Sequence, residues 1–292
     1  MIQKYMRNYL SRSAAMSRST RRAGAALLFL AMLTAMPACD SQKSDDVVNT
    51  IDCYILSLCF QENTRFGMVG DSWTDFAFGV QAQRDLRDWL ADEHGYNMTA
   101  VVLAGQTLEA DLNRARGFQR VIEQAGPSLK YMLISLGGND MLDNINAYGN
   151  SDPNVVAAVR LDAYEANLRS MIAQGDFLKQ QKYGGEPLTW VLHGYDYANP
   201  EKVTGCNLTT GGFTATQKDS LFQSILDKFN VRQQAIAAST TNVVHIDLRG
   251  TLGGPPTSAS ALKIDCIHPN DPGFQLIASR YAATLQLITP ER

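Results

Sequence analysis

Five short apolar runs, separated by longer stretches of helical periodicity, limit what this 292-residue chain can fold into. Such continuous runs are typical of strands that are covered on both faces, and between them apolar residues recur at the spacing of amphipathic helices. Strands that alternate with helices form a parallel sheet with right-handed crossovers. We therefore predict an α/β fold, a three-layer α/β/α sandwich around a parallel five-stranded sheet. The predicted strands are residues 66–69, 99–103, 131–136, 188–192 and 243–246.

The helices predicted between these strands cover residues 76–90, 108–125, 155–173 and 216–239. The dipeptide Gly126-Pro127 should end the second of them. A last helix should begin with Asp271 as its N-cap and Pro272 in its first turn. The segment 50–60 is apolar and flanked by cysteines, so it should pack on the domain as an extra segment.

Polar residues and glycines follow the predicted strands, at the carboxyl end of each strand. Ser72 follows the first strand, Gly105 the second and Asn139 the third. Asp265 and His268 lie on a loop just before the last helix. In a doubly wound sheet such loops converge on one edge. We therefore predict a functional site at this edge.

These residue types are typical of nucleophilic catalysis by serine. A serine hydroxyl needs a base to remove its proton, and an imidazole base needs a carboxylate on its other nitrogen. We interpret Ser72 as the nucleophile, His268 as its base and Asp265 as the carboxylate that orients the base. The backbone N–H groups of Ser72 and Gly105 and the side-chain amide of Asn139 are the candidate donors of an oxyanion hole.

Each of these residues also has a simpler structural interpretation. Ser72 could cap the helix that follows it, Gly105 could be only a turn glycine, and Asn139 could form an Asx turn. Asp71 and Asp140, which are their neighbours, should hold the loops through hydrogen bonds to backbone N–H groups.

Three side chains that carry rings are candidates for the surroundings of the site. His193 ends a predicted strand on the same edge, but no carboxylate lies three residues before it, which disfavours it as the base. We interpret Trp73, His193 and Tyr195 as residues of the pocket wall or of the layer behind it.

The first 38 residues have the pattern of an export signal. Six basic residues and no acidic one precede or flank a short apolar run at 25–33, which is typical of a signal peptide. The sequence Met36-Pro37-Ala38-Cys39 resembles a bacterial lipobox, so residues 1–38 are predicted as a lipoprotein-type signal peptide and Cys39 as the lipid-bearing residue. An ordinary signal peptide is the alternative, and translation could begin at Met1 or Met16. Residues 39–64 are predicted as a tether and N-terminal extension.

The charge of the chain argues against a nucleic-acid partner. Removal of residues 1–38 takes away six positive charges and lowers the formal net charge from −3 to −9. An acidic protein repels phosphate backbones. No nucleic-acid binding is expected, and contact with a membrane is expected only through the lipid at Cys39.

Four cysteines beyond Cys39 indicate two disulfides in an exported protein. Three pairings are compatible with the sequence, and we favour Cys53 with Cys59 and Cys206 with Cys266. Buried free thiols are the alternative. No two of these cysteines form a CxxC pair and the chain has only four histidines, so neither a metal site nor another cofactor is expected.

The four blocks together resemble the SGNH (GDSL) hydrolase family. Gly70-Asp71-Ser72 matches the first block, Gly105-Gln106-Thr107 the second, Gly137-Gly138-Asn139-Asp140 the third, and Asp265-Cys266-Ile267-His268-Pro269 the last. The resemblance implies an SGNH hydrolase domain over residues 65–292, with a flavodoxin-like sheet. It also implies esterase, lipase, thioesterase or acyltransferase activity without a metal. Trp73 stands where leucine is common in the first block, so the acyl pocket should differ in shape.

We therefore expect an exported enzyme of the periplasm or cell envelope that hydrolyses carboxylic esters through an acyl-enzyme. Its substrate would be a small-molecule, lipid or carbohydrate ester. Two alternatives are kept: a carbohydrate O-acetylesterase or acyltransferase of the cell envelope, and a catalytically inactive lipoprotein that uses the fold for binding. The sequence contains no pattern from which the oligomeric state can be predicted.

Overall fold

The computed structural model of the chain describes residues 58–59, 64–74, 84–200 and 212–289. All of them belong to one compact unit, Asn49–Arg292. The predicted signal peptide, the lipid-bearing Cys39 and most of the predicted tether lie outside these residues and stay predictions. Among the described helices, none combines the length and the apolar character needed to span a bilayer.

The described strands form a single sheet whose five parallel members confirm the predicted fold class. The strands are β1 (Leu58–Cys59), β2 (Phe66–Gly70), β3 (Met98–Val102), β4 (Tyr131–Ser135), β5 (Thr189–His193) and β6 (Val243–Ile246). Their spatial order is β1-β3-β2-β4-β5-β6, and β1 pairs antiparallel with β3 at one edge. Without that edge strand the order is the flavodoxin-like 2-1-3-4-5. The edge strand comes from the apolar segment that was predicted only to pack on the domain.

Helices lie between successive parallel strands, as the periodicity predicted, but the helix described within the range predicted at 76–90 begins at Leu86, after the extended N-cap Asp85. The described helices are α1 (Leu86–Asp92), α2 (Leu108–Ala110), α3 (Gly117–Ala125), α4 (Gly138–Leu142), α5 (Ala147–Asn150), α6 (Pro153–Tyr183), α7 (Ala215–Ser239) and α8 (Asp271–Ile288). Helix α1 packs against α8, whereas α6 packs against both α3 and α7. The apolar faces of the helices and the strands are buried together. Each fully buried large apolar side chain contributes about 1.5–3 kcal/mol to the stability of this core.

The prediction of one continuous helix over residues 108–125 is wrong. Helix α2 ends at Ala110, a π-helical turn follows, and Arg116 adopts a left-handed conformation with φ of 52° before α3 begins. The buried carboxylate of Asp111 accepts hydrogen bonds from the N–H groups of Gly117, at 2.9 Å, and Phe118, at 3.4 Å. A Cβ on Gly117 would lie 2.6 Å from that carboxylate. The apolar residues keep their spacing on both sides of the break, which is why periodicity alone did not indicate it.

The start of the last helix also differs from the prediction by one residue. Asn270, not Asp271, is the N-cap of α8, since its side chain accepts a hydrogen bond from the N–H of Gly273 at 3.0 Å. The Asp271 carboxylate accepts instead from the indole N–H of Trp89 at 3.1 Å, a contact that ties α8 to α1.

Candidate active site

Ser72, His268 and Asp265 form a continuous hydrogen-bonded row at the carboxyl edge of the sheet. The Oγ atom of Ser72 lies 2.7 Å from Nε2 of His268, and Nδ1 of His268 lies 2.7 Å from Oδ2 of Asp265. An ionised carboxylate only accepts hydrogen bonds, so Nδ1 carries the proton of a neutral ring. Nε2 is then the acceptor that faces the serine hydroxyl. This is the tautomer that a base for Ser72 requires.

The turn that carries Ser72 is fixed by short-range hydrogen bonds. The N–H of Thr74 donates to the carbonyl of Asp71 at 3.0 Å, and the N–H of Trp73 donates to the Asp71 carboxylate at 3.0 Å. A Cβ on Gly70 would overlap the side chain of Thr74, so only glycine lets the chain turn this tightly after β2. The hydroxyl of Ser72 contacts the imidazole, while residues 75–83, where a helix was predicted to begin, lie outside the described residues.

The loop that carries the base is closed on itself. One oxygen of the Asp265 carboxylate accepts from the backbone N–H groups of Ile267, at 2.9 Å, and His268, at 2.7 Å, while the other faces the ring. Ile264 and His268 are joined by a backbone hydrogen bond of 3.0 Å. Burial alone would raise the pKa of Asp265, but the hydrogen bonds from the His268 ring and from the backbone N–H groups of His268 and Ile267 hold it below its usual value. The carboxylate is therefore ionised beside the ring.

The segment that follows β5 is hydrogen-bonded to this loop. The N–H of Asn199 donates to the carbonyl of Cys266 at 2.7 Å. Cys266 is buried and disulfide-bonded. Its pairing with Cys206 stays a prediction, because Cys206 lies outside the described residues. The pairing of Cys53 with Cys59 also stays a prediction, since Cys53 is outside them and the structure describes only the backbone of Cys59.

Asn139 stands at the start of α4, beside the serine turn, and its amide already has two acceptors. Its Nδ2 atom donates to the Asp71 carboxylate at 3.1 Å and to the carbonyl of Gln106 at 3.0 Å. The second bond ties Asn139 to the loop of Gly105. Gly105 has a φ of +76°, a conformation that favours glycine. Gly105 therefore acts as a turn glycine, and its role as an oxyanion donor stays a proposal.

Asp71 and Asp140 hold these loops, as predicted, through the backbone. Asp140 accepts from the N–H of Leu108 at 2.8 Å and so ties α4 to the start of α2. Asp71 also has side-chain partners that the sequence did not indicate, since it accepts from the hydroxyl of Tyr195 at 2.6 Å in addition to Asn139. Burial raises the pKa of Asp71 to about 6, against the hydrogen bonds from Tyr195 and Trp73, which lower it.

A cleft of about 400 Å³, counted with its open mouth, lies over these residues. Ser72, Asn139 and His268 form its polar end. The aromatic floor consists of Trp73 and Tyr195, whose rings meet edge to face with centroids 5.0 Å apart. The remaining wall is largely apolar and includes Leu142, Ala198, Leu226 and Ile267.

His193 lies behind this floor and not on the cleft wall. Its ring is fully buried, 5.2 Å from the ring of Tyr195 and 6.4 Å from that of Trp73. Nδ1 lies 2.8 Å from the carbonyl of Gly194 and must donate to it. Burial lowers the pKa of His193 to about 4. The ring is therefore neutral and has no contact with Ser72 among the described hydrogen bonds.

Lys263 is a further residue of this region, which no sequence pattern indicated. Its side chain is buried beneath the loop that carries His268 and lies beside Trp73. A single lysine has no periodicity that would indicate its burial. Within the described part of the chain, no group of three or more His, Cys, Asp or Glu side chains is arranged to hold a metal ion.

Comparison with known proteins identifies the family to which the chain is similar. The model of the GDSL-like lipase/acylhydrolase family matches residues 68–276. The lipase Lip_vut3 from a goat rumen metagenome is 16% identical with a TM-score of 0.54, over 75% of this chain and 96% of that one. A GDSL-like lipase from Bacteroides thetaiotaomicron is 16% identical with a TM-score of 0.51, over 85% and 98% of the two chains. At this identity the two structures support the fold alone. No curated protein matches the chain.

Proposed function

Because the chain belongs to the GDSL-like lipase/acylhydrolase family, we propose that it cleaves carboxylic esters of short acyl groups through an acyl-enzyme on Ser72. Hydrolysis of carboxylic esters in general follows from the family. The proposal concerns the residues, the intermediate and the substrate. The observation that carries it is the row of two 2.7 Å contacts from Ser72 through His268 to Asp265.

In the acylation step, Oγ of Ser72 attacks the ester carbonyl carbon while Nε2 of His268 takes the hydroxyl proton. The carbonyl oxygen becomes the oxyanion of a tetrahedral intermediate. When the intermediate collapses, the bond to the alcohol oxygen breaks and His268 returns the proton to the leaving alcohol. Asp265, ionised beside Nδ1, stabilises the imidazolium that exists between these steps. A water molecule then repeats the sequence on the acyl-enzyme and releases the acid.

The oxyanion would be bound by the N–H groups of Ser72 and Gly105 and by the amide of Asn139. The amide of Asn139 is held between the Asp71 carboxylate and the carbonyl of Gln106. It would therefore donate to the oxyanion by sharing one of these hydrogen atoms. Its rigid placement favours catalysis, since a donor that is already oriented needs no reorganisation when the charge develops.

The shape of the cleft supports a short acyl group. Most of its 400 Å³ is the open mouth, and only about 40 Å³ is accessible to the centre of a water molecule, which is small for a small-molecule site. The floor is closed by Trp73, which is 4% exposed and packs edge to face on both Tyr195 and Phe274. Leu142 and Ile267 provide apolar surface for an uncharged group. Acetyl to butanoyl esters fit this enclosure better than long chains do.

We also propose that the protein is exported and anchored to a membrane by a lipid on Cys39. The support is the basic and apolar pattern of residues 1–38 and the resemblance of the following residues to a lipobox. Labelling with a radioactive fatty acid in a bacterial host would test it. Incorporation that Cys39→Ala abolishes is expected, and equal incorporation by the variant would contradict the anchor.

The catalytic proposal is tested by the hydrolysis of p-nitrophenyl esters from acetate to palmitate, and of an acetylated sugar, by the full chain. Activity should be highest on the shortest acyl groups and should vanish in Ser72→Ala. A preference for palmitate would contradict the proposed substrate class. Turnover that survives in Ser72→Ala would contradict the proposed nucleophile.

A further inference from the structure

A buried ammonium group lies between the turn that carries Ser72 (the nucleophile turn, residues 70–74) and the loop that carries His268 (the base loop, residues 263–269). Lys263 is only 6% exposed, and lysine is almost never fully buried unless its charge has a partner. Its Nζ atom donates a hydrogen bond of 3.0 Å to the carbonyl of Ile267, the residue before His268. The same atom lies 5.3 Å from the ring centroid of Trp73, the residue after Ser72. One side chain thus contacts the neighbours of both the base and the nucleophile.

The backbone of Lys263 closes the base loop as well. Lys263 pairs with Pro269 in an isolated antiparallel bridge, with His268 just inside the closure. The N–H of Asn270 donates to the carbonyl of Leu262 at 3.0 Å. The side chain of Lys263 therefore holds the loop at Ile267 while its backbone holds the loop at its two ends.

Two carboxylates act on this ammonium from different elements. Asp265 belongs to the same loop, and Asp196 belongs to the segment after β5. From the nucleophile turn after β2, the uncharged ring of Trp73 faces the ammonium group. The Asp71 carboxylate of the same turn accepts hydrogen bonds from Tyr195 and Asn139 instead. Burial lowers the pKa of Lys263 to about 8, and the two carboxylates only partly offset that effect.

We infer that Lys263 is a positioning residue, which holds the Asp265–His268 loop against the nucleophile turn through the Ile267 carbonyl and the Trp73 ring. The inference rests on the proposed function, in which His268 is the base for Ser72. Attraction between a cation and an aromatic face requires the charge, and a charged donor makes a stronger hydrogen bond than a neutral one. The loop is therefore held most firmly while Lys263 is protonated.

The inference leads to a specific pH dependence. A serine hydrolase whose histidine is already neutral gains nothing from further alkalisation, so its kcat should stay level. Here kcat should fall as pH rises through about 8, because Lys263 loses its charge there. The decline should be in kcat and not in KM, since Lys263 does not line the cleft.

The experiment measures kcat and KM of the full chain on p-nitrophenyl acetate between about pH 6 and about pH 10, with the spontaneous rate subtracted. Lys263→Met should have no alkaline decline, and its kcat should be about tenfold below the wild-type plateau, since misplaced catalytic groups cost up to about 100-fold. Lys263→Arg keeps its charge at every one of these pH values. It should recover part of kcat and also lack the decline.

Lys179 provides a matched control at the opposite edge of the sheet. It is 5% exposed, donates to the carbonyl of Pro127 at 3.0 Å and lies 5.5 Å from the ring of Tyr183. Lys179→Met therefore loses the same kinds of contact without any link to the base loop. It should keep the wild-type kcat and the alkaline decline. Equal losses of kcat in the two Met variants, or an alkaline decline that persists in Lys263→Met, would overturn the inference.

A spectroscopic measurement separates this inference from the proposed function. The imidazole Nδ1–H signal of His268 can be followed by NMR across the same pH range, whether or not the chain turns over an ester. We expect a shift centred near the pKa of Lys263 that is present in Lys179→Met and absent in Lys263→Met. A signal that does not respond to Lys263 would overturn the inference, whereas absent turnover and absent labelling of Ser72 would count against the proposed function only.

Discussion

The side-chain amide of Asn139 donates a hydrogen bond of 3.1 Å to the carboxylate of Asp71, the residue before Ser72. A second bond of 3.0 Å runs from the same nitrogen to the carbonyl of Gln106. Because both partners are acceptors, the amide nitrogen and not its oxygen must face them. Asp71 therefore fixes the orientation of a proposed oxyanion donor, and it does so from within the nucleophile turn.

Replacement of Asp71 by Asn should lower kcat by about tenfold or more, given that the loss of one oxyanion donor costs about 100-fold to 1,000-fold. An amide at this position has one acceptor oxygen for the donors Trp73, Tyr195 and Asn139, so the Asn139 amide would lose its orientation. Steady-state kinetics on p-nitrophenyl acetate should show the loss in kcat with little change in KM.

The control for this prediction is Tyr195→Phe, which removes one donor to Asp71 and leaves the bond from Asn139 in place. Its kcat should fall much less than that of Asp71→Asn. If the two variants lose kcat equally, the orientation of Asn139 is not what Asp71 contributes to the reaction.

The raised pKa of Asp71 predicts how its ionisation affects the stability of the fold. Its native pKa of about 6 exceeds the ordinary value of 3.8, so the native state holds this proton at a pH where the unfolded chain has lost it. The resulting contribution to stability is favourable at low pH and is lost as pH rises from about 4 to about 6. The full difference corresponds to about 3 kcal/mol.

Urea unfolding of the wild type and of Asp71→Asn, at several pH values, isolates this contribution. The free energy of unfolding of the wild type should fall relative to that of the variant as pH rises through this window. Other titrating groups, including the buried His193 and the half-buried His245 with pKa values near 4, are common to both proteins and cancel in the comparison. A difference that does not change with pH would contradict the prediction.

Replacement of Trp73 by Leu should shift the acyl preference of the enzyme toward longer chains. The smaller side chain opens the floor of the cleft, and each additional methylene in an apolar pocket is worth about 1–3 kcal/mol of discrimination. The ratio of kcat/KM for a hexanoyl ester to that for an acetyl ester should rise by about tenfold or more. Trp89→Leu, which changes a buried indole on α1, should leave the ratio unchanged. An unaltered ratio in Trp73→Leu would show that this ring does not limit the acyl group.

The sequence was sufficient for the parallel sheet and for the edge where the site lies. Continuous apolar runs identify strands that are buried on both faces, and the rule that ligand sites lie at carboxyl ends then brings Ser72 and Asn139 together. The contact between His268 and Asp265 could be expected from their spacing of three on one closed loop. These features depend on short stretches of the chain, which is why a sequence alone reveals them.

Other features depend on particular side-chain contacts, which no apolar pattern indicates. The break after Ala110 depends on the Asp111 carboxylate reaching the N–H of Gly117, whereas the apolar spacing continues through it. The bond from Tyr195 to Asp71 and the contact of Lys263 with Trp73 join segments that only the fold brings together. No local pattern distinguishes these side chains from exposed ones.

The most direct test of the account is to label the full chain with a fluorophosphonate and to locate the adduct by peptide mass spectrometry. We expect one stoichiometric adduct on Ser72, none in Ser72→Ala, and much slower labelling in His268→Ala, because the hydroxyl then lacks its base. A chain that hydrolyses esters while Ser72 stays unlabelled, or that carries the adduct on another residue, would contradict the central claim that Ser72 is the nucleophile.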